Sequence, residues 1–497
     1  LNTVLCNENK EFTREFLKKV VDICIDFKLQ EEVNTKCFDV NERYKIIHDI
    51  PIEGSDIESV LEDFKKNVLT YCTNFASKNF MGFPDSGNSI AAMGGAIFAE
   101  LLQQNLINQS FCGPTATFTE IAVIKWLREI VGYKTSKINS IWDVGGIITP
   151  GGTASNSIAM MLARENHVKG TMERGITSPE KFKIVVPKGI GHYSIKSSQM
   201  WLGCGNNIIE VPINNFKMDL SALKEILKEN KDDIMSVIVY VGDSRTMTID
   251  NLEEVYYITK EVKEDIWLHA DACHGFSLGL SDKLKHKIKG IENYDSISTD
   301  PHKVLCCPYV ISTLLVKEPQ KVKTIASLSD LIMQEEFAFG QITPFLGSRN
   351  WSSLKLWFLI NNLGKKGLGE IIEKRHHLAL YLYSKLSEME EFIVLNDVGI
   401  NSVMFMYGNK NDDIDYLNSF NRKIYKRILS EGKYHLHQFS IADSNGIINK
   451  NKIVYPLRYM CGNFNTTEKD IDNLVKYVKS VALSIKTRGG EFYECAM

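Results

Sequence analysis

The sequence predicts an α/β protein: a helical N-terminal segment, a large domain built on a mainly parallel sheet, and a smaller α+β domain at the C-terminal end. Three observations carry this. Short β-branched runs alternate with amphipathic stretches between Gly94 and Val316, the residues before Gly94 show only helical spacing, and short strands mix with helices after Phe392.

In the N-terminal segment, set at residues 1–93, Glu11 to Phe27 and Ile57 to Ala76 place apolar residues three and four apart, the period of a helix. The large domain, set at 94–368, begins with a further helix at Thr117 to Val131. Then come runs of strand length: Lys183 to Pro187, Asn207 to Val211, Ser236 to Val241, Ile266 to Ala270, Ser296 to Ser298 and Val310 to Val316. Strands alternating with helical connectors make βαβ units, whose parallel sheet is covered on both faces. Ligands of such sheets bind at the carboxyl ends of the strands. After Trp351 one helix is expected through Leu363, and another, past Gly369, through Met389. The small domain, 369–497, carries strands at Ile393 to Leu395, Ser402 to Tyr407 and Val454 to Arg458, interleaved with helices at Ile414 to Glu431 and Glu468 to Ile485.

With 58 Lys+Arg against 61 Asp+Glu and 44% hydrophobic residues, the 497-residue chain has an ordinary globular composition, which excludes disorder as a whole. It lacks the basic footprint of a nucleic-acid partner. No apolar run approaches the ~20 residues of a membrane helix. Leu1-Asn2-Thr3 opens without a basic region and long apolar core, so no secretory signal is read. Eleven cysteines, unpaired in spacing, fit reduced thiols and no metal site. The expected location is the cytoplasm.

The chemistry concentrates in three segments. Ser296-Ile297-Ser298-Thr299-Asp300-Pro301-His302-Lys303 puts a lysine just past a strand, and Pro301 is expected to keep a helix from running through it. Ile266 to Gly275 ends a buried strand on Asp271, and a buried carboxylate needs a cation. Thr149-Pro150-Gly151-Gly152-Thr153-Ala154-Ser155-Asn156 ends a strand and opens a helix, where free backbone N–H groups favour phosphate. A lysine amine, a buried carboxylate and a phosphate-binding helix start are what holds pyridoxal 5′-phosphate: a Schiff base, a partner for the pyridine nitrogen and an anchor. His192, in Gly191-His192-Tyr193, follows a strand and could stack on the ring.

The order Gly-Gly-Thr-Ala-Ser-Asn, Gly-His, Asp-Ala-Cys-His-Gly, Asp-Pro-His-Lys resembles the group II amino-acid decarboxylases, the glutamate, aromatic amino-acid and cysteine-sulfinate enzymes, from about Phe80 to Asn463. That resemblance implies the fold type I architecture of pyridoxal-phosphate enzymes with a seven-stranded sheet, and it assigns roles. Lys303 is the Schiff-base lysine, Asp271 the pyridinium partner and His192 the stacking histidine. Thr153, Ala154 and Ser155 contact the phosphate, and His302 lies beside phosphate and substrate. Ser244 stands where the family has a Thr near the cofactor, and Arg458 matches an arginine near the substrate carboxylate. The Phe80 to Asn88 segment resembles the one lining the substrate pocket, giving Phe83 and Asp85 as substrate contacts. Asp85 is the unusual member, either a partner for a polar substrate group or a turn-capping residue. The resemblance also implies a homodimer with shared active sites, in which Phe111 reaches the neighbouring site. The apolar face of the N-terminal helices supports that assembly.

The implied reaction is decarboxylation of an L-amino acid to its amine and CO2. Phe80, Phe83 and Phe111 suit an aromatic or bulky substrate, whereas Asp85 would favour a polar or basic one. In this family a loop tyrosine is thought to help deliver the proton that completes the amine. Thr324 through Phe345 holds no tyrosine, only Phe337, Phe339 and Phe345, so an oxygen-consuming aldehyde synthase is the runner-up. A non-catalytic paralogue or a transaminase of the same fold are further readings.

Overall fold

The structure, a computed structural model, describes residues 4–33, 46–329 and 336–487. Seven strands form the main sheet: β1 (Gly146–Thr149), β2 (Lys183–Pro187), β3 (Ile208–Val211), β4 (Ile234–Tyr240), β5 (Trp267–Asp271), β6 (Ser296–Thr299) and β7 (Ser312–Val316). Their order is β1-β7-β6-β5-β4-β2-β3. β7 runs against both of its neighbours and the other six share one direction. β4 through β7 are buried along their whole length, as strands covered on both faces must be. In register, Tyr240 pairs with Asp271 and Asp271 with Ser298, so the ends of β4, β5 and β6 finish level. The helix Gly152–His167 lays Ile158, Ala159, Met160, Met161, Leu162 and Ala163 into the same core.

A second sheet is antiparallel, with β8 (Phe392–Val394), β9 (Ser402–Tyr407), β10 (His437–Gln438) and β11 (Leu457–Met460) in the order β8-β9-β11-β10. Helices Ile414–Glu431 and Glu468–Thr487 cover it with Phe420, Ile424, Leu474 and Val478. The helix Ser353–Ser387 serves both cores: Leu356, Leu359, Leu368 and Ile372 pack on the first, Leu378, Leu382 and Leu386 on the second. It kinks at Gly364, whose φ of 60° and ψ of 178° only glycine adopts readily.

Three expectations are corrected. The second N-terminal helix stops at Asn67, not Ala76. Downstream, the buried Asn74 turns away to donate to the carbonyls of Phe27 and Gln30, a tertiary contact that periodicity does not foresee. β7 begins at Ser312, where pairing with Thr149 starts, not at Val310. Pro301 does not exclude a helix; it opens the single turn Pro301–Val304, because proline at the first helical position loses no intrahelical bond. Among the described residues no helix is long and apolar enough to cross a membrane. Among the described residues the helix Lys10–Lys28 buries none of its side chains, and it leaves Phe12, Leu17, Val21 and Ile25 exposed on an amphipathic face.

Candidate active site

Lys303 sits on the Pro301–Val304 turn, which points it back at Asp300; Nζ lies 2.7 Å from Oδ2. Asp300 is 1% exposed, and its other oxygen accepts from the Ser312 hydroxyl on β7. Burial pushes the Asp300 carboxyl up, but the charge of Lys303 outweighs it and holds the group well below the usual carboxylate range. For Lys303, burial disfavours the ammonium, and Asp300, with help from Asp271, raises it above the ordinary lysine value. The two form an ion pair in which Asp300 is buried and Lys303 keeps partial exposure.

Asp271 ends β5. Its Oδ2 accepts from Asn156 Nδ2 at 3.0 Å, and its Oδ1 from the Cys273 N–H at 3.3 Å. Asn156 also donates to Ser194 Oγ at 2.8 Å and accepts from His269 Nε2 at 3.0 Å. His269 Nδ1 then accepts from Ser296 Oγ at 2.8 Å, and that oxygen takes the Trp267 indole N–H at 2.8 Å. Burial brings the His269 imidazole down to about 4, so it is neutral, as the chain of donors requires. Every amide atom of Asn156 is thereby used, which fixes the Asp271 carboxylate from behind.

The helix start fits an anion. A Cβ on Gly151, whose φ is 126°, would meet nothing within 4 Å, whereas one on Gly152 would lie 2.9 Å from an Asp300 oxygen and 3.1 Å from Cys273 Sγ. The first turn is therefore pressed onto the lysine pair on one side and open on the other. The amides of Ala154 and Ser155 already bond the Gly151 carbonyl, so the free N–H groups there are those of Gly152 and Thr153. The Ser155 hydroxyl is buried against Thr149 Oγ1 at 2.7 Å.

His192 caps the helix Tyr193–Trp201, with Nδ1 2.7 Å from Ser194 Oγ and its backbone N–H on the Tyr240 hydroxyl. Burial lowers its pKa, with Asp271 and Lys303 among the charges acting on it. His302 Nδ1 donates to the Ile311 carbonyl at 2.7 Å, and its ring lies 4.9 Å from that of Tyr309. Arg458, 1% exposed on β11, donates to the carbonyls of Ser244 and Gly82, and its guanidinium lies 5.0 Å from the centre of the Phe83 ring. Burial brings it down to about 10, still charged at neutral pH. Ser244 enters through its carbonyl. Asp85 is buried beside Tyr309, with His302 and Lys303 acting on it. Phe111 stands apart, 73% exposed on the surface of the chain.

Three members of this constellation were not singled out in the sequence. Asp300 lies in the Asp-Pro-His-Lys run, three residues before the lysine, and a helical turn there would have paired them. Asn156 is a polar residue on a buried helix, a weak signal of a network. Tyr309 carries no signal, since only tertiary folding lays it on His302.

The pyridoxal-dependent decarboxylase conserved domain matches residues 41–408. An aromatic-L-amino-acid decarboxylase of Bacillus atrophaeus is 24% identical, covering 96% of this chain and 97% of its own. An acidic amino acid decarboxylase of Mus musculus is 25% identical over 76% of this chain and 71% of its own. The structure of the Oryza sativa TDC with PLP and tryptamine superimposes with a TM-score of 0.85 at 19% identity, covering 97% of this chain and all of that one. The fold is that of the type I pyridoxal-phosphate decarboxylases, and the chain belongs to the pyridoxal-dependent decarboxylase family. Its cofactor is pyridoxal 5′-phosphate, and it is an amino-acid decarboxylase. The residues fit that group: an open cradle at Gly151, a lysine at the strand end, and a carboxylate with its back bonded by Asn156.

Proposed function

We propose that this chain releases CO2 from an aromatic or other bulky L-amino acid and returns the amine. The observation that carries the reading is the placement of Lys303, Asp271 and the Gly151–Ser155 helix start around the level ends of β5 and β6. Lys303 would hold the cofactor covalently, Asp271 its pyridine nitrogen, His192 its ring face, and Thr153, Ala154 and Ser155, with His302, its phosphate. Ser244 would stand close to it. The bound cofactor supplies an electron sink for the pair left at Cα when the carboxylate departs. Asp300 sets the charge of Lys303 before loading, and the Asn156–His269 chain keeps Asp271 aimed. Arg458, a buried cation that among the described residues donates to the carbonyls of Ser244 and Gly82, would orient the substrate carboxylate, while Phe83 and Asp85 would meet its side chain. CO2 and amine measured over the twenty amino acids test this. Equimolar products from at least one aromatic acid are expected, and no CO2 from any would refute it.

A second reading rests on the Thr324 to Phe345 segment, which has no tyrosine and of which residues 330–335 lie outside the described residues. Without a proton donor there, dioxygen competes at Cα, giving aldehyde, ammonia and H2O2. Phe339 is fully buried with Arg349 over its ring, Phe337 is half-buried against Phe118, and Phe345, 38% exposed, packs on Trp201.

The assembly is proposed as a homodimer with shared active sites. The uncovered face of Lys10–Lys28 and the exposed Phe98, Leu101, Phe111 and Phe118 support it, with Phe111 reaching the neighbouring site. The cytoplasm is the proposed location.

A further inference from the structure

Arg375 stands on the helix Ser353–Ser387 where its packing passes from the first core to the second, between Ile372 and Leu378. It is 3% exposed. Its guanidinium donates to the carbonyl of Val304, to the carbonyl of Gly462 and to Cys306 Sγ at 2.9 Å, while its Nε meets no acceptor. Among the described residues no carboxylate pairs with it. Burying a cation without a counter-charge is costly, so packing alone would favour an apolar residue at this position.

The two carbonyls belong to the two halves of the site. Val304 follows Lys303 and closes the turn that carries it after β6. Gly462 lies just beyond β11, the strand of Arg458. The loop at Gly462 is also fixed to Arg458 by a second route: a Cβ on Gly462 would stand 1.7 Å from the Pro84 carbonyl oxygen, and the Gly82 carbonyl accepts from Arg458 at 2.7 Å. Named contacts thus run from Arg458 through Gly82, Pro84 and Gly462 to Arg375, and on to the turn of Lys303.

We propose that Arg375 is a positioning residue of the reaction, which holds the turn of Lys303 and the loop behind Arg458 in one register. This rests on the decarboxylase reading, in which Lys303 holds the cofactor and Arg458 the substrate carboxylate. An amino acid engages both groups at once, so an error of about 1 Å between them costs on the order of 10²-fold in rate. The product amine lacks the carboxylate and spans no such distance. A planar guanidinium presents donors to both carbonyls in a fixed fork, which the single ammonium of a lysine does not reproduce.

The test uses cofactor-loaded Arg375→Lys and sets kcat/KM for CO2 release from an aromatic L-amino acid beside Ki for the amine it yields. kcat/KM should fall about 10²-fold, while Ki stays within about three-fold and borohydride still labels Lys303. In the double variant with Arg458→Lys the two losses should fall well short of multiplying, as for residues that act through one chain of contacts. Parallel losses in kcat/KM and Ki, an unchanged kcat/KM, or losses that multiply would overturn the proposal, while CO2 release by the wild-type enzyme upholds the reading beneath it. If Arg375→Lys does not fold or loses its cofactor, hydrogen exchange in the wild-type enzyme decides. There 3-phenylpropionate, a carboxylate without an amino group, should slow exchange at 457–463 and at 301–306 together. Slowing confined to 457–463, or none at saturating probe, would overturn it. No CO2 from any amino acid would overturn both.

Discussion

Lys303 and Asp300 form an ion pair at 2.7 Å within one helical turn, with Asp300 buried and Lys303 partly exposed, and Asp300 presses against Gly152 at the start of the helix Gly152–His167. Lys303, the amine that would hold the cofactor, is therefore favoured as an ammonium, and Asp300 is the group that favours it.

Asp300→Asn should release that hold. With the negative charge gone, Lys303 loses the interaction that raises its pKa, so the amine is free at lower pH. Borohydride trapping of pyridoxal phosphate, followed against pH, should show its onset move to lower pH. An unmoved profile would separate the pair from the reactivity of the lysine.

Asp271→Asn should retain cofactor and lose activity by about 10²-fold or more, since an amide cannot hold the pyridinium proton by charge. Asn156→Ala should lose less, because it frees the carboxylate without removing it. The check is kcat beside the absorbance of the bound cofactor. Equal losses would mean that aim matters as much as charge.

His269 gives the stability an acid limit. Its folded pKa is about 4 against an ordinary value of 6.5, so its contribution is full above pH 6.5 and lost as pH falls toward 4. Between pH 7 and 5 this site alone should remove on the order of 2 kcal/mol. Denaturant melts at the two pH values check it, and His269→Asn should flatten the difference.

If the enzyme follows the oxidative course, Phe337→Tyr should raise the ratio of amine to aldehyde under air, because a new proton donor competes with dioxygen for the same carbon. Phe339→Tyr should instead cost stability, as its hydroxyl would enter the buried space under Arg349. Product stoichiometry and thermal melts separate the two effects.

The legible part of this molecule was local. Strands such as Ile234–Tyr240 are apolar runs of fixed length, and the Lys303, Asp271 and Gly151–Ser155 segments each combine a strand end with chemistry, so pattern alone located them. The parts that stayed hidden are tertiary. β7 runs antiparallel to both β6 and β1, a pairing direction that its apolar run does not reveal. Tyr309 meets His302 and Asp85 only once the chain has folded. Phe111 was named for a pocket, yet it lies on the surface of the single chain, where sequence cannot say what faces it.

The central claim is that Lys303 carries the cofactor that drives decarboxylation, and borohydride reduction of the pyridoxal-phosphate-loaded enzyme followed by peptide mapping tests it most directly. The label should fall on the peptide containing Lys303 and be absent from Lys303→Ala, with CO2 release lost in the same variant. A reduced cofactor on another lysine, or full CO2 release by Lys303→Ala, would contradict the account.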